Sequence, residues 1–189
     1  MLRRKPSAVE VLLLVGIVAL LAGIAMPIVQ RYRETHEYPC YKRMNRLGLA
    51  CFLYSTEHGG NYPENIEDVA QYVPDPELFV CPRSGDTPAR GATTQELISE
   101  LAVSPRPQSL APGQRGKGHL SYIFLGRGMT QQSPPRAILL YERLENHRDE
   151  GINVVYLDGS SQFIERVEAA KLIAELQSGH NPPRAEKLK

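Results

Sequence analysis

Three cysteines, one histidine and an acid-rich hairpin are where this chain could carry chemistry. Cys40, Cys51 and Cys81 offer thiols for a disulfide, a metal or a nucleophile. His147 and Asp158 supply a base and an acid to orient it, so a Cys81, His147, Asp158 trio can be drawn. Nothing in their spacing requires that trio, and the nucleophile elbow and oxyanion signatures of hydrolases are missing, so no enzymatic activity and no cofactor are expected. Asp149, Glu150 and Asp158 carry the oxygen donors that calcium takes, but solvated loop acids, with Asp158 chosen for its turn, are the preferred reading. Without a C-x-x-C pair, structural zinc is not expected. On one helix, Cys40 and Cys51 would stand about 16 Å apart, beyond the roughly 7 Å Cα limit for a disulfide. Cys81 is therefore the one partner for either. A Cys40–Cys81 bridge suits an oxidising compartment; otherwise all three are small buried residues.

The elements that must position these residues follow from period and turn chemistry. Cys40, Met44, Leu47, Cys51 and Tyr54 recur at spacings of four and three, with Lys42 and Arg46 on the opposite face. This predicts a helix running to about Glu57, bent or interrupted by Pro39 and stopped by His58-Gly59-Gly60-Asn61-Tyr62-Pro63. A short helix is expected over Asn65 to Tyr72. Residues 82–118 turn rich in Pro, Gly, Ser and Arg and read as an insertion loop or mobile excursion, helical only from Thr94 to Leu101. Strands are expected at His119–Leu125, Ala137–Glu142, Asn153–Leu157 and Ser160–Glu165. The last two flank Asp158-Gly159, read as a two-residue type I′ turn. A closing helix from Val167 to Leu176 precedes a loose tail, 179–189.

Ahead of all this, residues 11–29 carry no charge and no strong polar group; as a helix they would span roughly 28 Å, close to a bilayer's hydrocarbon core. They read as a transmembrane anchor behind a short basic leader, residues 1–10. Gly16, Ala19, Gly23 and Pro27 share one stripe, a face on which another helix can approach closely. Ser7-Ala8-Val9-Glu10 fits a capping box, and a carboxylate at the apolar boundary also seeks a cation on a neighbouring chain. With 22 basic and 21 acidic residues the chain lacks the basic excess of a nucleic-acid binder.

From Pro6 to Pro27, with Glu10 and Pro27 as markers, the sequence resembles the N-terminus of type IV pilins and type II secretion pseudopilins. There the glutamate is fifth in the mature protein and a proline commonly lies seventeen residues on. The family's peptidase cuts after glycine and before, usually, phenylalanine; Lys5 and Pro6 stand there instead, so Met1 to Lys5 are expected to stay attached. Further on, Cys40-Tyr41-Lys42-Arg43-Met44, Tyr54, Asn61-Tyr62-Pro63, Cys81-Pro82, Ser121-Tyr122 and Asn146-His147 leading to Leu157-Asp158-Gly159 resemble pseudopilin-like proteins with a C-terminal His-to-Asp-Gly motif.

The expected fold is therefore α+β: a pilin-like roll in which a long N-terminal transmembrane helix packs on a small antiparallel β-sheet. Its domain spans residues 30–178. The resemblance implies a minor pseudopilin-like structural subunit of a type II secretion or type IV pilus-like assembly. It would sit as a single-pass protein of the bacterial inner membrane with its soluble domain in the periplasm. Its partners would be other pilin or pseudopilin subunits, met through the N-terminal helix, and the lipid bilayer, with no nucleic acid. The alternative is a stand-alone anchored ligand-binding or sensor module that keeps the architecture and does not polymerise.

Overall fold

The computed structural model describes residues 8–111, 113–114 and 116–184; the leader Met1–Lys5, the Ser7 cap, the side chains of Pro27 and Pro39 and the end of the tail lie outside the described residues. Two units result, Met1–Tyr38 and Pro39–Lys189. Helix α1 (Ala8–Glu57) supplies the first and continues into the second, so neither Pro27 nor Pro39 ends it.

In the first unit the described large apolar side chains between Val9 and Met26 are exposed, between 48% for Val11 and 71% for Leu12. The transmembrane anchor read from the sequence, and the single-pass inner-membrane location that rested on it, need correction: among the described residues no helix is long and apolar enough to cross a membrane.

The second unit is a four-stranded antiparallel meander, β1 (Tyr122–Phe124), β2 (Ile138–Glu142), β3 (Gly151–Tyr156) and β4 (Ser161–Glu165), paired in chain order. Both central strands are buried along their whole length, because each face of the sheet is covered. On one face Cys40, Met44, Leu47, Ala50 and Cys51 of α1 meet Tyr122, Leu139, Leu140 and Val155. On the other, Ala169 and Leu172 of α3 (Arg166–Gln177) meet Ile138, Tyr141, Ile152, Val154 and Tyr156. The period-two alternation of β3 is plain in this division. In β2 the register slips between Ile138 and Leu140, and Leu139 and Leu140 both face α1.

The described residues of segment 82–118 are packed in rather than free. Its helix α2 (Thr94–Val103) opens on a capping box between Thr93 and Glu96 and buries Leu97 and Leu101 in the α1-side core. Arg106 then grips the buried Glu67 with two hydrogen bonds of 2.7 and 2.9 Å. Glu67 belongs to the 3-10 turn Ile66–Gln71, the short helix expected from Asn65.

The β3–β4 connection differs from the expected two-residue turn. Gly159 N–H donates to Tyr156 O and Tyr156 N–H to Ser160 O, and only Gly159 has positive φ, +79°. The loop is thus three residues long and closes through a left-handed glycine, so Asp158 need not adopt positive φ; its carboxylate accepts from Ser160 N at 2.8 Å instead.

Gly159→Val is expected to lower folding stability by roughly 1–3 kcal/mol, and Asp158→Asn to leave it nearly unchanged, in chemical denaturation. Burial raises the Glu67 carboxyl, but the Arg106 hydrogen bonds outweigh it and hold it below its ordinary value. A depressed folded pKa stabilises above the unfolded value of 4.5, and the stabilisation is lost as pH falls through the folded one. Arg106→Ala should cost about 2 kcal/mol at neutral pH. Denaturation at a series of pH values should show that deficit shrinking as the carboxylates protonate.

Candidate functional site

The register aligns one row of residues across all four strands on the α1 face. Tyr122 is opposite Glu142, Asn153 is opposite Phe163, and Glu142 and Asn153 are joined by hydrogen bonds. Two loops and a helix deliver the remaining groups to this row. Cys40 opens the buried stripe of α1. Cys81 begins a β-turn with Pro82 at its second position, closed by Ser84 N–H donating to Cys81 O at 3.0 Å. His147 ends the 3-10 turn Leu144–His147, after which Arg148 and Asp149 take left-handed conformations, φ 53° and 62°, and return the chain to β3. Two successive non-glycine residues with positive φ are uncommon, and they send His147 inward while Arg148 and Asp149 stay exposed.

The result is a closed cluster. Cys40, Cys81, Glu142 and His147 are all 0% exposed. The two sulfurs lie 3.0 Å apart as free thiols, Cys81 Sγ is 3.8 Å from His147 Nε2, and Nε2 is 2.8 Å from Glu142 Oε2. One atom from each of the four lies within 4.8 Å of every other. Asn153 donates to the same Oε2 through its backbone N–H (2.9 Å) and Nδ2 (2.7 Å), while Glu142 Oε1 and the Tyr122 hydroxyl are buried with no hydrogen-bond partner. Arg83 NH1 approaches His147 Nδ1 at 3.5 Å and Glu150 at 3.3 Å.

Electrostatically the site is strongly coupled. Burial alone would lower the His147 pKa, yet the Cys81 sulfur and the Glu142 carboxylate raise it to about 10. The hydrogen bond with Cys40, with burial behind it, pushes the Cys81 thiol up. Burial and then the Glu142 charge do the same to the Tyr122 hydroxyl. A buried thiol held protonated is a poor nucleophile. What these groups can do together is share a cation: among the described residues they are the one group of His, Cys, Asp and Glu placed to hold an ion.

Of the residues singled out from the sequence, Cys40, Cys81 and His147 are brought together, and Cys51 is buried one helical stretch away with its thiol pushed up by burial. Asp158 stays in the exposed hairpin with Ser160 as partner, its carboxyl held down by that hydrogen bond. Glu150 is engaged by Arg83. Glu142 went unnoticed, although a glutamate closing the apolar run Ala137–Tyr141 at an inward-facing position was its available signal. No protein-family model, no curated protein and no solved structure matches this chain.

Because the Tyr122 hydroxyl is buried beside Glu142 without a partner, Tyr122→Phe is expected to keep the fold and to raise stability by about 1 kcal/mol, measured by denaturant unfolding.

Proposed function

We propose that the chain is a pseudopilin-like structural subunit that joins a type II secretion or type IV pilus-like assembly through its N-terminal helix. The observation that carries this reading is the exposure of the described large apolar side chains between Val9 and Met26. Val9, Leu12, Leu14, Leu20 and Met26 are each at least 66% exposed, and Val11, Leu13, Val15, Ile17, Val18 and Leu21 are 48–61% exposed. A helix apolar on every face has no solvated side and needs a cover, since burying each such side chain is worth roughly 1.5–3 kcal/mol.

Further support comes from small residues and from the resemblance. A Cβ added to Gly16 or Gly23 would meet nothing within 4 Å, which leaves their stripe open to a close-packed neighbouring helix. The run from Pro6 to Pro27 resembles the segment by which pilins and pseudopilins pack on one another, and a helix laid on an antiparallel meander is the arrangement that resemblance implies.

Because the three native cysteines are buried, an added thiol reports helix contacts cleanly. With Ala19→Cys in the full chain, oxidation in intact cells should give adducts joined through that residue. Glu10→Ala should lower their yield without altering the thermal unfolding of the 39–189 unit. A chain with Ala19→Cys that stays unlinked under conditions that crosslink a known assembled subunit would overturn the reading.

A further inference from the structure

We propose that Cys40, Cys81, Glu142 and His147 form a closed structural site for one zinc ion, two thiolate sulfurs, one imidazole nitrogen and one carboxylate oxygen completing its coordination. This goes beyond the assembly reading and does not rest on it, since all four ligands lie in the 39–189 unit.

Four protein ligands without an exposed edge describe a structural rather than a catalytic zinc site, and paired sulfurs select zinc over magnesium or calcium. All four side chains are fully buried. They come from four separate places, α1, the Cys81–Ser84 turn, the end of β2 and the Leu144–His147 turn, so an ion there would clamp helix, loops and sheet together.

Geometry agrees. Metal–ligand bonds of ordinary length give a tetrahedron with edges of about 3.3–3.8 Å. The sulfur–sulfur and sulfur–imidazole separations of 3.0 and 3.8 Å, with one ligand atom from each of the four residues inside 4.8 Å of every other, differ from that by shifts of about an ångström or less. A second observation points to a missing partner: Glu142 Oε1 is buried and unpaired while Oε2 is held by both nitrogens of Asn153. A carboxylate fixed through one oxygen with the other left open is what an outer-shell asparagine gives a metal ligand. Binding releases the two thiol protons and the imidazole Nε2 proton to solvent, leaving two thiolates, a carboxylate and a neutral ring around the ion. Arg83, 3.5 Å from Nδ1, stands beside the remaining negative charge.

The test uses the full chain purified under reducing conditions without added metal. Elemental analysis should find one zinc per chain. Replacement by cobalt should give sulfur-to-cobalt charge-transfer absorption and the intense visible bands of a tetrahedral site. Cys81→Ser and His147→Gln should lose the metal, Cys51→Ser should keep one per chain, and Asn153→Ala should weaken affinity by about 10–100-fold. Should the ligand variants fail to fold, titrating the wild-type chain with cobalt still decides the matter. A wild-type chain with free thiols and no such spectrum would overturn the proposal. So would a mass lower by two hydrogens with Cys40 and Cys81 joined, or metal retained in Cys81→Ser. None of these results touches the assembly reading, which the Ala19→Cys adducts decide separately.

Discussion

Everything in the 39–189 unit depends on how closely helix α1 sits against the sheet. Cys40, Met44, Leu47 and Cys51 are completely buried, and a Cβ on Gly48 would come within 2.9 Å of Val155 Cγ1. Glycine at that one position lets the helix axis approach β3 more closely than any other residue would, at a cost in helix propensity of about 1 kcal/mol relative to alanine. The approach brings Cys40 at the start of the stripe down to the row Tyr122, Glu142, Asn153, Phe163. A helix held farther out would leave the thiol above an apolar gap and the carboxylate without its neighbours.

That row is polar where a core is ordinarily apolar, which is energetically expensive. Glu142 and His147 are a fully buried pair, and desolvating two such charges costs several kcal/mol that their attraction does not automatically return. Hydrogen bonds offset part of it, since Asn153 contributes two to Glu142 and Asn146 donates to Ser121 O at 3.1 Å, and the Phe163 ring lies T-shaped to the imidazole with centroids 6.2 Å apart. Glu142 Oε1 and the Tyr122 hydroxyl receive nothing. A buried polar group without a partner is a standing cost, and its persistence beside two thiols is what sets this corner apart from the leucines and valines around it.

How far this was legible in the sequence depends on which interactions are local. The stripe Cys40, Met44, Leu47, Cys51 repeats at helical period and α1 follows it; the strands near 138–142, 151–156 and 161–165 carry β-branched and aromatic residues and appear within a residue or two, while the strand expected over His119–Leu125 is confined to Tyr122–Phe124. The convergence of Glu142 on His147 was not visible, because it depends on a left-handed pair at Arg148 and Asp149 that neither residue type announces. The packing of 82–118 was hidden for a similar reason: Pro and Gly suggest freedom, while Arg106 meeting Glu67 is a long-range pairing. Hydropathy made residues 11–29 look like a bilayer span, a reading that considers length and composition along the chain and that the described helix does not bear out. The turn at Gly159 was correct in place and wrong in type, since Asp-Gly serves two loop lengths equally well.

The slip between Ile138 and Leu140 can be thought of as a change of phase. A strand is a two-beat pattern, and one surplus residue inverts it: Ile138 belongs to the α3 side, Leu139 and Leu140 share the α1 side, and from there the beat resumes with Tyr141 on the α3 side and Glu142 on the α1 side. The carboxylate therefore faces the thiols by virtue of an odd residue near the start of its strand. Chain length along β2 is a chemical variable here. Losing or gaining one residue at that slip would leave every side chain present in the sequence and set Glu142 on the opposite face, among isoleucines and valines.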